Sequence, residues 1–246
     1  MIDIHCHILP EIDDGAENLE MSLAMAKQAV EDGVTHIVAT PHFRPPYDYD
    51  LQLELRKERI AFLREELAKE QLPLVLLEGA EVQTQEYPFK QLLVKYPQLL
   101  VPGSTPGHRT VLIELPLDMP ADRVKDLFFL AQLSHTDMIL AHPERQPNFL
   151  NNIAALKELL GNGLMLQFNA TSISKGFFHR RINHGILELM ETAPEQVFLA
   201  SDAHDSERRP CRLSTAAEVI LPALGDEAWQ LMTERNQRRL LGTALN

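Results

Sequence analysis

Two histidines near the start of the chain, His5 and His7, have a spacing that suits metal binding. They lie in the run IDIHCH, whose pattern predicts a short β-strand. Side chains at positions i and i+2 of a strand point to the same side, so the two imidazoles would project together. A neutral imidazole is the commonest metal ligand among side chains. The pair is a candidate part of a metal site, although functionless surface histidines share this spacing.

Further imidazoles and carboxylates recur where later apolar runs end. They are Asp14 in the loop IDDG, His42 after THIVAT, Glu81 in LVLLEGAEV, Glu114 in TVLIELP, His142 in MILAHPER, and Asp202 and His204 in VFLASDAH. Together with His5 and His7 these residues make nine candidate ligands, which is more than one metal ion needs. We therefore expect two or three metal ions that share bridging carboxylates. Imidazole and carboxylate without an assigned thiolate suit Mn²⁺, Fe²⁺ or Zn²⁺, and the residue types do not choose among them.

The sequence shows seven apolar runs typical of strands, each followed by a segment with helical periodicity. The first helix is expected to start at an Asn18 cap, a long charged helix to cover about residues 50–70, and a later helix to run from an Asn152 cap to Gly161. Repeated strand and helix units predict a parallel α/β barrel, whose catalytic residues gather at the carboxyl ends of the strands. With no linker in the sequence, residues 1–246 are expected to form one domain.

The composition limits the partners and the location of the chain. The 35 acidic and 23 basic residues give a formal net charge of -12, which opposes nonspecific binding to nucleic acid. No secretory signal or membrane-length apolar run is present, so we expect a cytoplasmic protein without membrane insertion. Cys6 and Cys211 are far apart, which makes a disulfide framework an unlikely interpretation. Alternation turns Cys6 away from the two histidines into the core, and Cys211 is expected to have no role.

The ordered set of motifs resembles a known family. The motifs are IDIHCH, IDDG, TPH, the strand ends at Glu81 and Glu114, HPER and ASDAH. Together they resemble the polymerase-and-histidinol-phosphatase (PHP) superfamily, and more narrowly its bacterial protein-tyrosine phosphatases of the capsular polysaccharide locus. The resemblance extends from Ile2 to about Pro210. It implies a distorted seven-stranded (β/α)7 TIM-like barrel with three metal ions at the carboxyl ends of the strands.

The resemblance also implies how the ligands are divided. One ion would be bound by His5, His7, Glu81 and Asp202, a second by the bridging Glu81 with Glu114 and His142, and a third by Asp14, His42 and His204. Asp13 is the alternative to Asp14. Many other PHP members place histidines where this chain has Asp14 and Glu114, and these carboxylates favour the tyrosine-phosphatase branch over the histidinol-phosphate branch.

Two arginines, Arg145 and Arg209, match family residues that bind phosphate. Arg208 is the alternative to Arg209 for that role. A guanidinium can bind two phosphate oxygens at once, which offsets the unfavourable net charge at the site. The chemistry we expect is metal-assisted hydrolysis of a phosphate monoester, with no cysteine nucleophile. Since a tyrosine hydroxyl has a pKa of about 10, phenolate is a good leaving group and we assign no general acid.

The resemblance implies a Mn²⁺-dependent protein-tyrosine phosphatase that acts on a bacterial tyrosine kinase of capsule or exopolysaccharide synthesis. Two alternatives remain at this point. One is a small-molecule phosphoesterase, such as a histidinol-phosphatase-like enzyme. The other is a catalytically silent, metal-bound module that binds the kinase or its complex.

Two secondary expectations concern the rim of the site. The stretch FRPPYDYD after His42 offers Arg44, Tyr47 and Tyr49 as residues that could contact substrate. Asn169, at the end of the sixth apolar run, could orient substrate or water, although Asn at a strand end is also ordinary turn chemistry.

Overall fold

The computed structural model describes residues 1–44, 48–83, 89–105, 107–116, 122–175 and 180–245. Of the residues expected at the rim, Tyr47 lies outside this set. The strands are β1 (Ile2–Cys6), β2 (His36–Ala39), β3 (His42–Phe43), β4 (Val75–Glu78), β5 (Glu81–Gln83), β6 (Arg109–Glu114), β7 (Thr136–Ala141), β8 (Met165–Asn169) and β9 (Val197–Ala200). All of their pairings are parallel.

The strands pair in the orders β1-β2-β4 and β3-β5-β6-β7-β8-β9. β2 and β3 are two halves of one strand position that is interrupted before His42, and β4 and β5 are likewise interrupted at residues 79–80. Pro41 has no N–H to offer a ladder, which accounts for the first break. Within the described residues the nine strands therefore occupy seven positions, and the expected parallel barrel is confirmed.

The first and last strands meet through irregular backbone contacts. The N–H of Asp202 donates to the carbonyl of His5 at 2.8 Å, and the N–H of His7 donates to the carbonyl of Ala203 at 2.9 Å. A parallel bridge joins Cys6 to Ala203. These contacts bring the carboxyl end of β1 beside the segment that follows β9.

The helices are α1 (Leu19–Glu31), α2 (Tyr49–Lys69), α3 (Phe89–Lys95), α4 (Asp122–Leu133), α5 (Ile153–Gly161), α6 (Arg180–Thr192), α7 (Ala217–Gln230) and α8 (Asn236–Leu241). The predicted Asn18 cap is confirmed, since its side chain accepts a hydrogen bond from the Met21 N–H. The predicted end of the later helix at Gly161 is confirmed, because Gly161 is the last residue of α5. A positive φ of 101° follows at Gly163. No helix in the described ranges is long and apolar enough to cross a bilayer.

The interior of the barrel has an apolar part and a polar part. A buried apolar cluster takes one face from several strands, including Ile2, Leu112, Ile139 and Phe198, and adds Leu241 of α8. Because strand side chains alternate, Glu114 lies on the same face of β6 as Leu112, two residues closer to the carboxyl end. The apolar cluster therefore supports a polar centre at the carboxyl ends of the strands.

Candidate metal centre

The nine predicted ligands converge at the carboxyl ends of the strands. Their ligand atoms form four overlapping groups, in each of which the atoms lie within 4.8 Å of one another. These groups are His7, Asp14, His42 and His204; His5, His7 and Glu81; His5, His142 and Asp202; and His42, Glu81 and Glu114. The side chains come from segments spread over the whole chain, so only the folded barrel assembles the cluster.

Five of these side chains form the inner half of the centre: His5, His7, Glu81, His142 and Asp202. Each is almost fully buried. His5 Nε2 lies 3.2 Å from His7 Nε2 and 3.4 Å from both Glu81 Oε1 and Asp202 Oδ1. His142 Nε2 approaches Glu81 Oε1 at 2.9 Å. Glu81 thus contacts imidazoles on two sides, as a bridging carboxylate would.

The other four form the outer half: Asp14, His42, Glu114 and His204. Asp14 Oδ1 lies 3.1 Å from His42 Nε2 and 3.8 Å from His204 Nε2. Glu114 Oε2 is 3.7 Å from His42 Nδ1, and the His204 ring lies 4.0 Å from the His7 ring. The Asp14 side chain is 59% exposed, so this half opens toward solvent.

Unusual backbone conformations direct two ligands into the barrel. His142 has φ of 29° directly after β7, and Asp202 has φ of 50° two residues after β9. Such conformations cost a non-glycine residue about 1–3 kcal/mol each, and they concentrate at functional sites. The run VFLASDAH forms a strand only as far as Ala200, where β9 ends, so Asp202 and His204 lie in the segment that follows.

Buried polar atoms without partners indicate that the cluster fits cations. Asp202 Oδ1 and His142 Nδ1 have no hydrogen-bond partner among the described residues, and Glu81 Oε2 has only the ion-pair contact with His42 Nδ1 at 2.9 Å. An unpaired buried carboxylate oxygen is costly, and a metal ion would satisfy it. The donors are imidazole nitrogens and carboxylate oxygens, the set that suits Mn²⁺, Fe²⁺ or Zn²⁺.

Protons take the place of cations in the metal-free cluster. Burial lowers the pKa of His7, but Asp13 and Glu81 outweigh burial and raise it to about 9. Burial likewise lowers the pKa of His42, whereas Asp14 and Glu81 raise it to about 11. Burial and the neighbouring His7 lower the pKa of His204 to about 3. Metal ions that bind His7 and His42 must therefore displace protons, whereas His204 is already neutral.

Asp13 and Asp14 occupy different places. Asp13 Oδ2 contacts His7 Nδ1 at 2.8 Å and accepts the His42 N–H at 3.0 Å, while Asp13 Oδ1 accepts the Gly15 N–H at 3.0 Å. Asp13 therefore orients His7 from behind and already makes three contacts within the chain. Asp14 faces His42 and His204, as the resemblance implied for a ligand.

The two arginines lie at the mouth of the centre and contact the same atom. Arg145 Nη1 donates to Asp202 Oδ2 at 3.2 Å, and Arg209 Nη2 donates to that oxygen as well. Their side chains are 39% and 28% exposed, so both reach solvent and the cluster. Arg208 is exposed on the same loop, and its backbone N–H is held by Asp205. The geometry thus favours Arg209 over Arg208 as the residue that faces the centre.

The expected rim residues differ from one another in the structure. Tyr49 begins α2 and stacks on Phe43, with ring centroids 6.2 Å apart, and its ring also lies 5.5 Å from Tyr96. These contacts give Tyr49 a packing role in an aromatic cluster. Arg44 lies directly after β3 and is half-buried.

Several residues around the centre were not singled out as ligands or partners from the sequence. Gln167 on β8 contacts His5 Nδ1 at 2.8 Å through its Oε1. The sequence feature that could have indicated Gln167 is its spacing of two from Asn169 within an otherwise apolar strand.

Cys211 has closer neighbours than expected: it is fully buried, and its Sγ lies 3.7 Å from Cys6 Sγ. A sequence separation of 205 residues conceals this contact between two free thiols.

Comparison with known proteins places this arrangement in a family. A family model described as capsular polysaccharide synthesis, CpsB/CapC, matches residues 1–242. Tyrosine-protein phosphatase YwqE of Bacillus subtilis is 34% identical over 234 residues, which are 95% of this chain and 89% of that protein. The putative tyrosine-protein phosphatase CapC of Staphylococcus aureus is 32% identical and covers 87% of this chain and 80% of its own.

A solved structure shares the fold closely. It belongs to the crystal structures of YwqE from Bacillus subtilis and CpsB from Streptococcus pneumoniae, which are described as unique metal-dependent tyrosine phosphatases. It matches with a TM-score of 0.82 and 34% identity, over 98% of this chain and 94% of that one. The match of fold, length and sequence agrees with the family model, and the chain belongs to the capsular polysaccharide synthesis CpsB/CapC family.

Proposed function

We propose that the chain is a metal-dependent protein-tyrosine phosphatase that hydrolyses phosphotyrosine. The convergence of nine imidazoles and carboxylates at one end of the barrel, with two arginines at its mouth, carries this proposal. Relatives named as tyrosine-protein phosphatases match nearly the full chain and support the reaction class. Binding of a partner alone would not require a centre built for several metal ions.

The ions are proposed to be Mn²⁺, up to three per chain, with Fe²⁺ or Zn²⁺ as the other metals that the donors accept. The division follows the one implied by the sequence: His5, His7, Glu81 and Asp202 for one ion, Glu81, Glu114 and His142 for another, and Asp14, His42 and His204 for the third. Bound ions would supply a water nucleophile that is activated at neutral pH and positive charge for the phosphoryl oxygens.

The chain's own groups supply phosphate binding. Arg145 and Arg209 now share Asp202 Oδ2, and a phosphate monoester would offer them more oxygens than that single atom does. Both arginines keep part of the side chain in solvent, so each can turn toward an entering phosphate. The cysteines supply no nucleophile, because both are fully buried and burial raises the pKa of the Cys6 thiol.

The proposed substrate is a phosphotyrosine protein, specifically a bacterial tyrosine kinase that controls capsule or exopolysaccharide synthesis. The family description, capsular polysaccharide synthesis, supports this biological setting. We further propose that residues 1–246 act as one domain in the cytoplasm, where such a kinase presents its phosphorylated tyrosines.

The decisive experiment compares release of phosphate from a tyrosine-phosphorylated peptide and from histidinol phosphate. Both are measured with added Mn²⁺, before and after chelation. We expect preferential, chelator-sensitive turnover of the peptide and its loss in His5→Ala. His36→Ala is the matched control, because His36 lies at the start of β2, away from the centre.

Preference for histidinol phosphate would replace the proposal with a small-molecule phosphoesterase. An absence of turnover with either substrate, despite bound metal, would replace it with a metal-bound interaction module.

A further inference from the structure

Strand β8 carries none of the nine candidate ligands, yet two of its polar side chains enter the centre. Gln167 and Asn169 are fully or almost fully buried and, two residues apart, lie on the same face of the strand. Leu166 and Phe168 face the outer apolar core. Burial of two amides inside a barrel is unfavourable unless their hydrogen bonds are satisfied.

Three hydrogen bonds join these amides to two candidate ligands. His5 Nδ1 lies 2.8 Å from Gln167 Oε1, Gln167 Nε2 donates to Asn169 Oδ1 at 2.8 Å, and Asn169 Nδ2 donates to Asp202 Oδ2 at 2.6 Å. We refer to Gln167 and Asn169 as the β8 relay. It connects an imidazole on β1 to a carboxylate after β9, and both belong to the group of His5, His142 and Asp202.

The direction of these hydrogen bonds is fixed from one end. A carboxylate only accepts, so Asn169 must present its NH₂ to Asp202 and its carbonyl oxygen to Gln167. Gln167 must then present its NH₂ to Asn169 and its carbonyl oxygen to His5. A carbonyl oxygen also only accepts, so the hydrogen must lie on His5 Nδ1. This leaves the lone pair of the neutral imidazole on Nε2, the nitrogen that faces Glu81 and Asp202.

The carboxylate at the other end is oriented by the same chain of bonds. Asp202 Oδ2 accepts hydrogen bonds from Asn169 and from the two arginines. Asp202 Oδ1 has no hydrogen-bond partner among the described residues. Oδ1 lies 3.4 Å from His5 Nε2. The relay therefore turns one lone pair of each ligand toward the same space.

We propose that Gln167 and Asn169 are positioning residues that fix the tautomer of His5 and the orientation of Asp202 for one shared metal ion. The inference rests on the proposed metal binding by His5 and Asp202. It assigns β8 a role in metal retention, although β8 supplies none of the nine candidate ligands. Groups that orient metal ligands in this way typically change metal affinity or activity by about 10–100-fold when they are removed.

The first test uses the unaltered protein without metal. Nitrogen-15 chemical shifts of the histidine rings, with the His5 signals identified by their absence in His5→Ala, report which ring nitrogen carries the hydrogen. We expect His5 as the tautomer protonated on Nδ1. A His5 ring without a hydrogen on Nδ1 would overturn the relay, whether or not the protein hydrolyses phosphotyrosine.

The second test compares two identical substitutions. Gln167→Met removes the acceptor for His5, and Gln237→Met removes an equally buried amide that donates to Leu199 and Met232 carbonyls instead. Titration with Mn²⁺ in a calorimeter should show about 10–100-fold weaker binding for Gln167→Met, with the His5 tautomer no longer biased. Gln237→Met should lower thermal stability only. Equal Mn²⁺ affinity in the two variants would contradict the proposal.

A third test asks whether the two amides act as one unit. Asn169→Asp keeps the shape but removes the donor to Asp202, and Asn236→Asp is its buried control outside the centre. If the relay is continuous, the loss of Mn²⁺ affinity in the double variant of Gln167 and Asn169 will be smaller than the two single losses combined. Independent losses would show two separate contacts in place of a relay.

Discussion

The inner and outer halves of the centre differ in their access to solvent. In the inner half the His5, Glu81 and Asp202 side chains are 0%, 0% and 1% exposed. In the outer half Asp14 is 59% exposed and Glu114 is 16% exposed. A buried ligand set excludes water and holds an ion with little exchange, whereas an exposed carboxylate can move or give way to a substrate oxygen. The same residue types thus suit retention in one half and turnover in the other.

The largest effects are expected when one carboxylate is removed from each half, and these variants test whether the halves differ. Glu81→Gln should empty the inner half, and the loss of several kcal/mol of charge stabilisation corresponds to a fall of about 10³-fold in kcat/KM. Asp14→Asn should lower the bound metal by one ion at most and reduce kcat/KM by a smaller factor. Metal content by elemental analysis and phosphopeptide turnover measure both. Equal losses in the two variants would remove the distinction between the halves.

A second, smaller effect is expected at the mouth. Arg145→Ala should lower kcat/KM for a phosphotyrosine peptide by about 10²-fold, while metal content stays unchanged. Removal of one preorganised hydrogen-bond donor to a developing anion typically has an effect of this size. Arg208→Ala is the matched control, because Arg208 is exposed on the loop that carries Arg209. Unchanged turnover by Arg145→Ala would refute its phosphate-binding role.

The third prediction concerns the protons that occupy the metal-free centre. The pKa of His7 is raised to about 9 from its usual 6.5, so its contribution to stability is complete below pH 6.5 and is lost as the pH rises through 9. From His7 alone, chelated protein should therefore lose about 3 kcal/mol of unfolding free energy between pH 6.5 and 9, and His42, whose pKa is raised to about 11, adds a loss of the same sign. Urea unfolding at several pH values measures this change. Protein saturated with Mn²⁺ should lack the loss, because its imidazoles hold metal instead of protons.

The smallest effect is expected from Asp13→Asn, behind the inner half. Asparagine keeps one oxygen that can accept the His7 Nδ1 hydrogen but loses the negative charge. We expect about tenfold weaker Mn²⁺ binding, the low end for an outer partner of a metal ligand. Calorimetric titration measures it, and a loss as large as that of Glu81→Gln would mean that Asp13 itself binds an ion.

Local patterns predicted the residues that the barrel brings together. His5 and His7 share a side because strand positions alternate, and Glu81, Glu114 and His142 follow apolar runs whose carboxyl ends meet in a barrel. The approach of these side chains was therefore predictable without coordinates. Their assignment to particular ions stays a prediction.

Features that depend on contacts between distant segments were not predictable. Asp202 has a left-handed backbone conformation, and its N–H donates a hydrogen bond to the His5 carbonyl. No local sequence pattern predicts this conformation. Asp13 and Asp14 are adjacent and chemically identical, so only the turn geometry separates their directions. The contact between the Cys6 and Cys211 thiols likewise forms only after the segment that follows β9 has packed against β1.

The junction between β1 and the segment after β9 has a consequence for biosynthesis. Ser201 Oγ donates to Asp3 Oδ2 across 198 residues, and β1 gains these partners only after the segment that follows β9 has been made. Contacts of such long range form late, because a large loop must close first. A nascent chain that has not yet reached Asp202 would hold His5 and His7 without that carboxylate. Synthesis of the segment after β9 therefore sets the earliest moment at which the inner half is complete.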